Sequence, residues 1–175
     1  MMPTKRLTAG FTLIEMILYI GIVTIFLTAA IQFGWNIIYI RVKSTNQQEL
    51  NQNLRLVAEK LLYEIRNAQS INTLTSTSLT LNSVDPQRHP TKIDLTNGSV
   101  RFGYGPSGSC SFSAPCNLTG NLVRITNLTF SDLSSNDGKS VNISFSLTGE
   151  VINPSGRQEY VYSQTHTGSA ELRLK

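Results

Sequence analysis

The chain has 175 residues and a mass of 19.3 kDa, enough for one domain of ordinary size with a short appendage and too little for two independent enzyme domains. Only 15% of its residues are charged, yet 40% are hydrophobic, which excludes a disordered polyelectrolyte. The net charge of +4 divides as +2 over residues 1–10, −1 over 11–40, +2 over 41–70 and +1 over 71–175, so the basicity does not belong to the C-terminal part and gives no support to nucleic-acid binding.

Between Phe11 and Ile40 the one formal charge is Glu15. At 1.5 Å per residue, roughly 20 apolar residues cross a hydrocarbon core of about 30 Å, and this run supplies them without proline. Lys5 and Arg6 precede it and no acid does, so the positive-inside rule leaves the first ten residues in the cytoplasm and sends the C-terminal part outward. A secretory signal would use Lys5 and Arg6 as its basic region and Thr28, Ala29 and Ala30 as a small-residue cleavage site. Against this, apolar residues continue through Ile31, Phe33, Trp35, Ile37, Ile38 and Ile40. A plain signal anchor explains the length. Neither explains Glu15, because a carboxylate at the centre of a span costs about 2.5 to 3.5 kcal/mol and is kept where it has a partner.

The stretch from Lys5 and Arg6 through Gly10, Phe11 and Glu15 to Met16 and Ile17 resembles the class III signal of type IV prepilins and of the pseudopilins of type II secretion. The resemblance covers about the first thirty residues. It implies cleavage by a prepilin peptidase between Gly10 and Phe11 on the cytoplasmic side, and N-methylation of Phe11. Glu15 then becomes the fifth residue of the mature chain and pairs with the terminal ammonium of a neighbouring subunit, favouring assembly in one register. Gly10 suits the cleavage position because a residue without a side chain allows close approach to the backbone.

Residues 41 to about 70 change to an amphipathic pattern. Leu50, Leu54, Val57, Leu61, Ile65 and Ala68 recur at helical spacing, with Arg55 and Glu59 at i and i+4 on another side. With no proline between Phe11 and Asp85, a single helix of roughly 55 to 60 residues is allowed; a break near Gly34 or Asn36 is the alternative.

After Ser70, Ser, Thr and Asn supply 38 of the last 105 residues, and short alternating apolar segments read as strands. Leu79 with Leu81 form one. Asn97 and Gly98 form a two-residue type I′ turn that places Leu95 opposite Val100, Ile93 opposite Phe102 and Asp94 opposite Arg101. Later segments are Leu122 to Ile125, Leu128 to Phe130, the alternation Val141, Ile143, Phe145, Leu147, the stretch Tyr160 to Tyr162, and Leu172 with Leu174. Asp137 and Gly138 mark another turn. The expected fold is α+β, a long N-terminal helix with a membrane-spanning first half and an amphipathic second half packed on an antiparallel β-sheet head, and the resemblance makes it type IV pilin-like. The expected organisation is leader 1–10, membrane and assembly segment 11–40, amphipathic helix 41–70 and β-rich head 71–175.

Cys110 and Cys116 are the only cysteines, and an even count in a head outside the cytoplasm favours a local disulfide. No His or carboxylate lies near them to complete a metal site, and none is expected. Where major pilins bracket a C-terminal loop with their disulfide, about sixty residues follow Cys116 here, a departure that points to a minor pilin or a minor pseudopilin, and the order helix, hairpin, loop, paired strands is similar to the J-type minor pseudopilin. The tail offers only Glu159 and Glu171, not the clustered acids of the calcium site in major pseudopilins. His89, between Arg88 and Pro90, and His166, among Thr165, Thr167 and Gly168, are the only histidines; no enzyme activity and no cofactor is expected. Arg88, Lys92, Arg101 and Arg124 near Tyr104 read as charges balanced by Asp85 and Asp94, so no nucleic-acid partner is expected. The expected partners are prepilin peptidase, the cytoplasmic membrane and other pilin or pseudopilin subunits, with final residence in a periplasmic or cell-surface fibre. The alternative is a membrane-anchored or secreted binding domain that does not polymerise.

Overall fold

The structure, a computed structural model, describes residues 10–105, 110–135 and 140–172. Lys5, Arg6, the Asp137–Gly138 turn and Leu174 lie outside the described residues. The chain divides into two compact units between Arg41 and Val42, both served by one helix, α1 (Leu13–Asn67). In the first unit α1 runs unbroken through Gly34 and Asn36, consistent with the absence of proline. Its large apolar side chains, from Leu13 to Ile40, are all exposed.

In the second unit the rest of α1 packs on two antiparallel sheets, giving an α+β fold. One sheet has the order β1 (Ala68–Leu74), β2 (Ser78–Ser83), β3 (Thr91–Thr96), β4 (Ser99–Tyr104), β5 (Cys116–Asn117); the other has β6 (Val123–Asp132), β7 (Asn142–Val151), β8 (Ser163–Glu171). Leu50, Leu54, Val57, Leu61 and Ile65 are at most 1% exposed, so the period read from the sequence is the face that the helix buries. They join Leu79, Leu81, Ile93 and Val100 of the first sheet and Ile125, Leu128, Ile143 and Leu147 of the second in one core. The glycine at 149 suits the close approach of α1 to β7, since a Cβ there would stand 3.1 Å from Leu50 Cδ1, Leu54 Cδ2 and Ile125 Cδ1, tight enough that these side chains would have to give way.

The β3–β4 hairpin has the expected register. Asn97 and Gly98 take φ of 53° and 75°, and Leu95, Asp94 and Ile93 face Val100, Arg101 and Phe102. Elsewhere tertiary pairing departs from local pattern. The helix ends at Asn67, and Ala68, buried as its periodicity suggests, already belongs to β1. The two segments expected around Leu122–Ile125 and Leu128–Phe130 form one strand, β6, which leaves Leu122 outside and exposed and is continuous across a register shift between Ile125 and Asn127; a bulge of this kind lets Val123 and Ile125 on one side of it and Leu128 and Phe130 on the other all face the core. Tyr160 to Tyr162 is not a strand. Gln158–Tyr160 is a 3₁₀ turn, held where Asn46 on α1 donates to the Glu159 carbonyl at 3.2 Å and where the buried Glu159 carboxylate pairs with Arg157. The strand that follows, β8, carries Gln, His, Thr and Ser where apolar residues would have marked it. Leu172 lies just beyond it, buried.

Candidate functional site

Gly10, Phe11 and Glu15 stand at the start of α1. Among the described residues nothing lies within 4 Å of where a Cβ on Gly10 would be. Phe11 is 71% exposed, with its ring edge-on to Tyr19 at 6.2 Å. The helix begins with a cap that the pattern Thr, two residues, Glu encodes: the Glu15 N–H donates to Thr12 Oγ1 at 3.3 Å, and the Met16 N–H to the Thr12 carbonyl at 3.2 Å. Thr12 is therefore a positioning residue absent from the sequence-based set, although its spacing from Glu15 was a readable signal. Glu15 sits in the first turn, where a negative charge and the helix dipole attract by about 0.3 to 1 kcal/mol. That is smaller than the cost of a carboxylate deep in a span, about 2.5 to 3.5 kcal/mol. Local structure alone thus does not repay a buried Glu15; an external cation is needed if the segment enters lipid.

The apolar part of α1 has the length and composition of such a span. Its best 18-residue window has a mean hydropathy of 2.2 and none of it is buried, long and apolar enough to cross a membrane. Its mid-segment threonines are satisfied internally, since Thr24 Oγ1 donates to the Ile20 carbonyl at 2.7 Å and Thr28 Oγ1 to the Thr24 carbonyl at 2.8 Å; in hydrocarbon an unpaired hydroxyl would be costly.

A second cluster, not anticipated from sequence, lies near the end of α1. Glu64, only 5% exposed, accepts through one carboxylate oxygen from Lys60 Nζ at 2.7 Å, Tyr104 OH at 2.9 Å and Arg88 at 3.4 Å. Lys60 and Arg88 each stand 5.3 to 5.6 Å from the ring centroids of both Tyr63 and Tyr104, within cation–π range. A hollow of about 370 Å³ adjoins the cluster, lined by Tyr63, Glu64, Asp85 and Arg88 among others. Burial works against the Lys60 charge, yet Glu64 and Tyr104 outweigh it and raise the ammonium's pKa. Tyr104 is raised too, by burial first and then by Glu64, against the opposing Lys60. Both groups hold their protons more tightly than usual, the reverse of an activated base or nucleophile. The arrangement clasps the helix to β4 and to the loop before β3.

The remaining sequence candidates fall apart from one another. Cys110 and Cys116 form a disulfide with Cα atoms 5.1 Å apart, as expected. It closes β5 onto β4, where Phe102 faces Cys116. Each of the four basic residues considered for a patch faces a carboxylate: Arg88 Glu64, Lys92 Asp94 at 3.4 Å, Arg101 Asp94 and Arg124 Glu150 at 3.9 Å. Arg101 grips Asp94 with two bonds of 2.8 and 2.9 Å; burial alone would raise the Asp94 carboxyl, but Arg101 and then Lys92 outweigh it and hold it below the usual carboxylate range. His89 precedes Pro90 through a cis peptide in the β2–β3 loop, whereas His166 is a half-buried residue of β8. Among the described residues no group of three or more His, Cys, Asp or Glu could hold a metal.

Fold and site together define an α+β chain with an antiparallel sheet domain and one N-terminal helix fit to span a membrane. No family model matches it, and neither a curated protein nor a solved structure matches it.

Proposed function

We propose that this chain is a non-enzymatic structural subunit, type IV pilin-like in fold, of the minor pilin or minor pseudopilin kind. It is matured by a prepilin peptidase between Gly10 and Phe11, held in the cytoplasmic membrane, and assembled through α1 into a type IV pilus-like fibre or a type II secretion pseudopilus. The observation that carries this reading is the register of Gly10, Phe11 and Glu15 ahead of a helix whose apolar side chains, through Ile40, find no partner within one copy. Such a surface needs lipid or other copies of itself to cover it. Glu15 supplies the directional element: its carboxylate takes the Phe11 ammonium of a neighbour, and an unpaired carboxylate in the same medium is penalised.

Mass spectrometry of the N-terminus of the protein from its native host tests the reading. An N-methylated Phe11 is the expected result. A start at Ile31 would identify a conventional cleaved signal, and an intact Met1 or Met2 a plain anchor; either overturns the proposal. In the same host, Glu15→Ala is expected to leave membrane insertion intact and to reduce incorporation into fibres.

A further inference from the structure

Strand β8 ends the second sheet, and its phase against β7 can be read from two flanking bonds. The Val151 N–H donates to the Tyr162 carbonyl at 3.1 Å and the Leu172 N–H to the Val141 carbonyl at 2.8 Å. In the register that pairs Leu147 with His166 and Phe145 with Gly168, the residues exchanging bonds with β7 are therefore Gln164, His166, Gly168 and Ala170. Ser163, Thr165, Thr167, Ser169 and Glu171 direct their N–H and C=O groups the other way, and none of the described residues pairs with them there.

Edges of this kind are normally guarded by bulges, lysine, proline or short length, and the other edges in the described residues are. Strand β1 has two register shifts. Strand β5 is two residues long and tied by the disulfide. The outer side of β6 is bonded to the first sheet, where the Ile125 N–H meets the Gly98 carbonyl at 2.8 Å and the Phe130 N–H the Ser76 carbonyl at 3.1 Å. Strand β8 has nine residues, no register shift, no proline, no lysine and one charge, Glu171.

We propose that β8 pairs antiparallel with β8 of a second copy of this chain, about a two-fold axis at Thr167. The occupant is argued from self-complementarity. Centred there, Thr167 faces itself, Thr165 faces Ser169, and Ser163 faces Glu171, so all five outward residues of each copy are used and about ten backbone hydrogen bonds form. The one carboxylate meets a hydroxyl and no like charges oppose. Moving the axis to Thr165 or Ser169 leaves outward groups of β8 unmatched. On the core side, where Gln164, His166 and Gly168 are only half-buried in a single copy, the same register sets each larger residue against a small one: His166 opposite Gly168, Gln164 opposite Ala170. The joint converts two three-stranded sheets into one of six strands, an isologous contact. It does not depend on the fibre reading.

Cysteine cross-linking of the full chain in detergent micelles tests it, the native Cys110–Cys116 pair being already oxidised. Facing Cα atoms of an antiparallel pair fall within disulfide reach. Under mild oxidation Thr167→Cys is expected to give a covalent dimer and Ser163→Cys alone to remain monomeric, while a mixture of Ser163→Cys and Glu171→Cys chains cross-links. Thr167→Lys, which sets two ammonium groups against each other at the axis and leaves the bonds to β7 in place, is expected to weaken dimerisation at least tenfold by sedimentation with an unchanged near-UV spectrum. A monomeric Thr167→Cys chain, as when β8 accepts only an unlike strand, overturns the proposal. So do equal cross-linking at Thr167 and Ser163, which would mark association through the apolar helix, and a dimer indifferent to Thr167→Lys. All are read on micelle-held chains before any fibre forms, so a failure of fibre assembly is a separate outcome.

Discussion

The two parts of α1 share one backbone and differ in what surrounds it. Through Ile40 the helix is apolar on every side, and residues such as Ile25 and Phe26 are more than 70% exposed; beyond Val42 one apolar stripe is buried, with Leu50, Val57 and Leu61 fully covered, while Leu56 and Tyr63 off that stripe stay half exposed. A one-sided stripe specifies a folded partner within the chain, whereas an all-round apolar surface specifies a medium. The first part is long and apolar enough to cross a membrane, where a helix pairs its own backbone groups, and the second is held where sheets cover it.

That contrast can be broken from either side. Leu54→Ala, in the packed part, is expected to destabilise the second unit by about 2 to 5 kcal/mol, read as a lower urea midpoint by near-UV circular dichroism of the full chain in micelles. Glu64→Ala removes the shared acceptor of Lys60, Arg88 and Tyr104 and is expected to cost about 2 to 3 kcal/mol, below the usual penalty for breaking a buried pair because Lys60 and Arg88 remain partly solvated. Opening the disulfide with Cys110→Ser and Cys116→Ser frees a loop of sequence separation 6, for which loop entropy gives about 2 kcal/mol. At the low end, Ile22→Ala in the exposed part is expected to leave the urea midpoint within about 0.5 kcal/mol; a larger loss would mean that the apolar part does support the second unit.

Titration sharpens the same comparison, because the shifted groups that hold the packed part lie at both ends of the pH scale. Lys60 and Tyr104 have raised values, so their stabilisation is complete below the unfolded values of about 10 and is lost as pH rises through the higher folded ones. Asp94 has a lowered value; its contribution is present above about pH 3.9 and is lost as pH falls through the folded value. Asp94→Asn is expected to flatten the acid limb of the stability profile and leave the alkaline limb unchanged, measured as urea midpoints between about pH 2 and 11.

What the sequence determined by itself was whatever a short window contains. The stripe from Leu50 to Ile65 is one helical period repeated, and Asn97–Gly98 fixes both a turn and the pairing on either side of it. Cys110 and Cys116 are close enough in sequence for their bond to be read by counting. Only the tertiary structure decided the rest, since it depends on residues that no window joins. Glu64 meets Tyr104 across forty positions, and Glu159 is buried because Asn46 and Arg157 hold its turn. Tyr160 to Tyr162 looks like a strand and is not one, while Ser163–Glu171 lacks apolar alternation and is one, because a strand at the end of a sheet is made by its neighbour's hydrogen bonds and not by its own side chains.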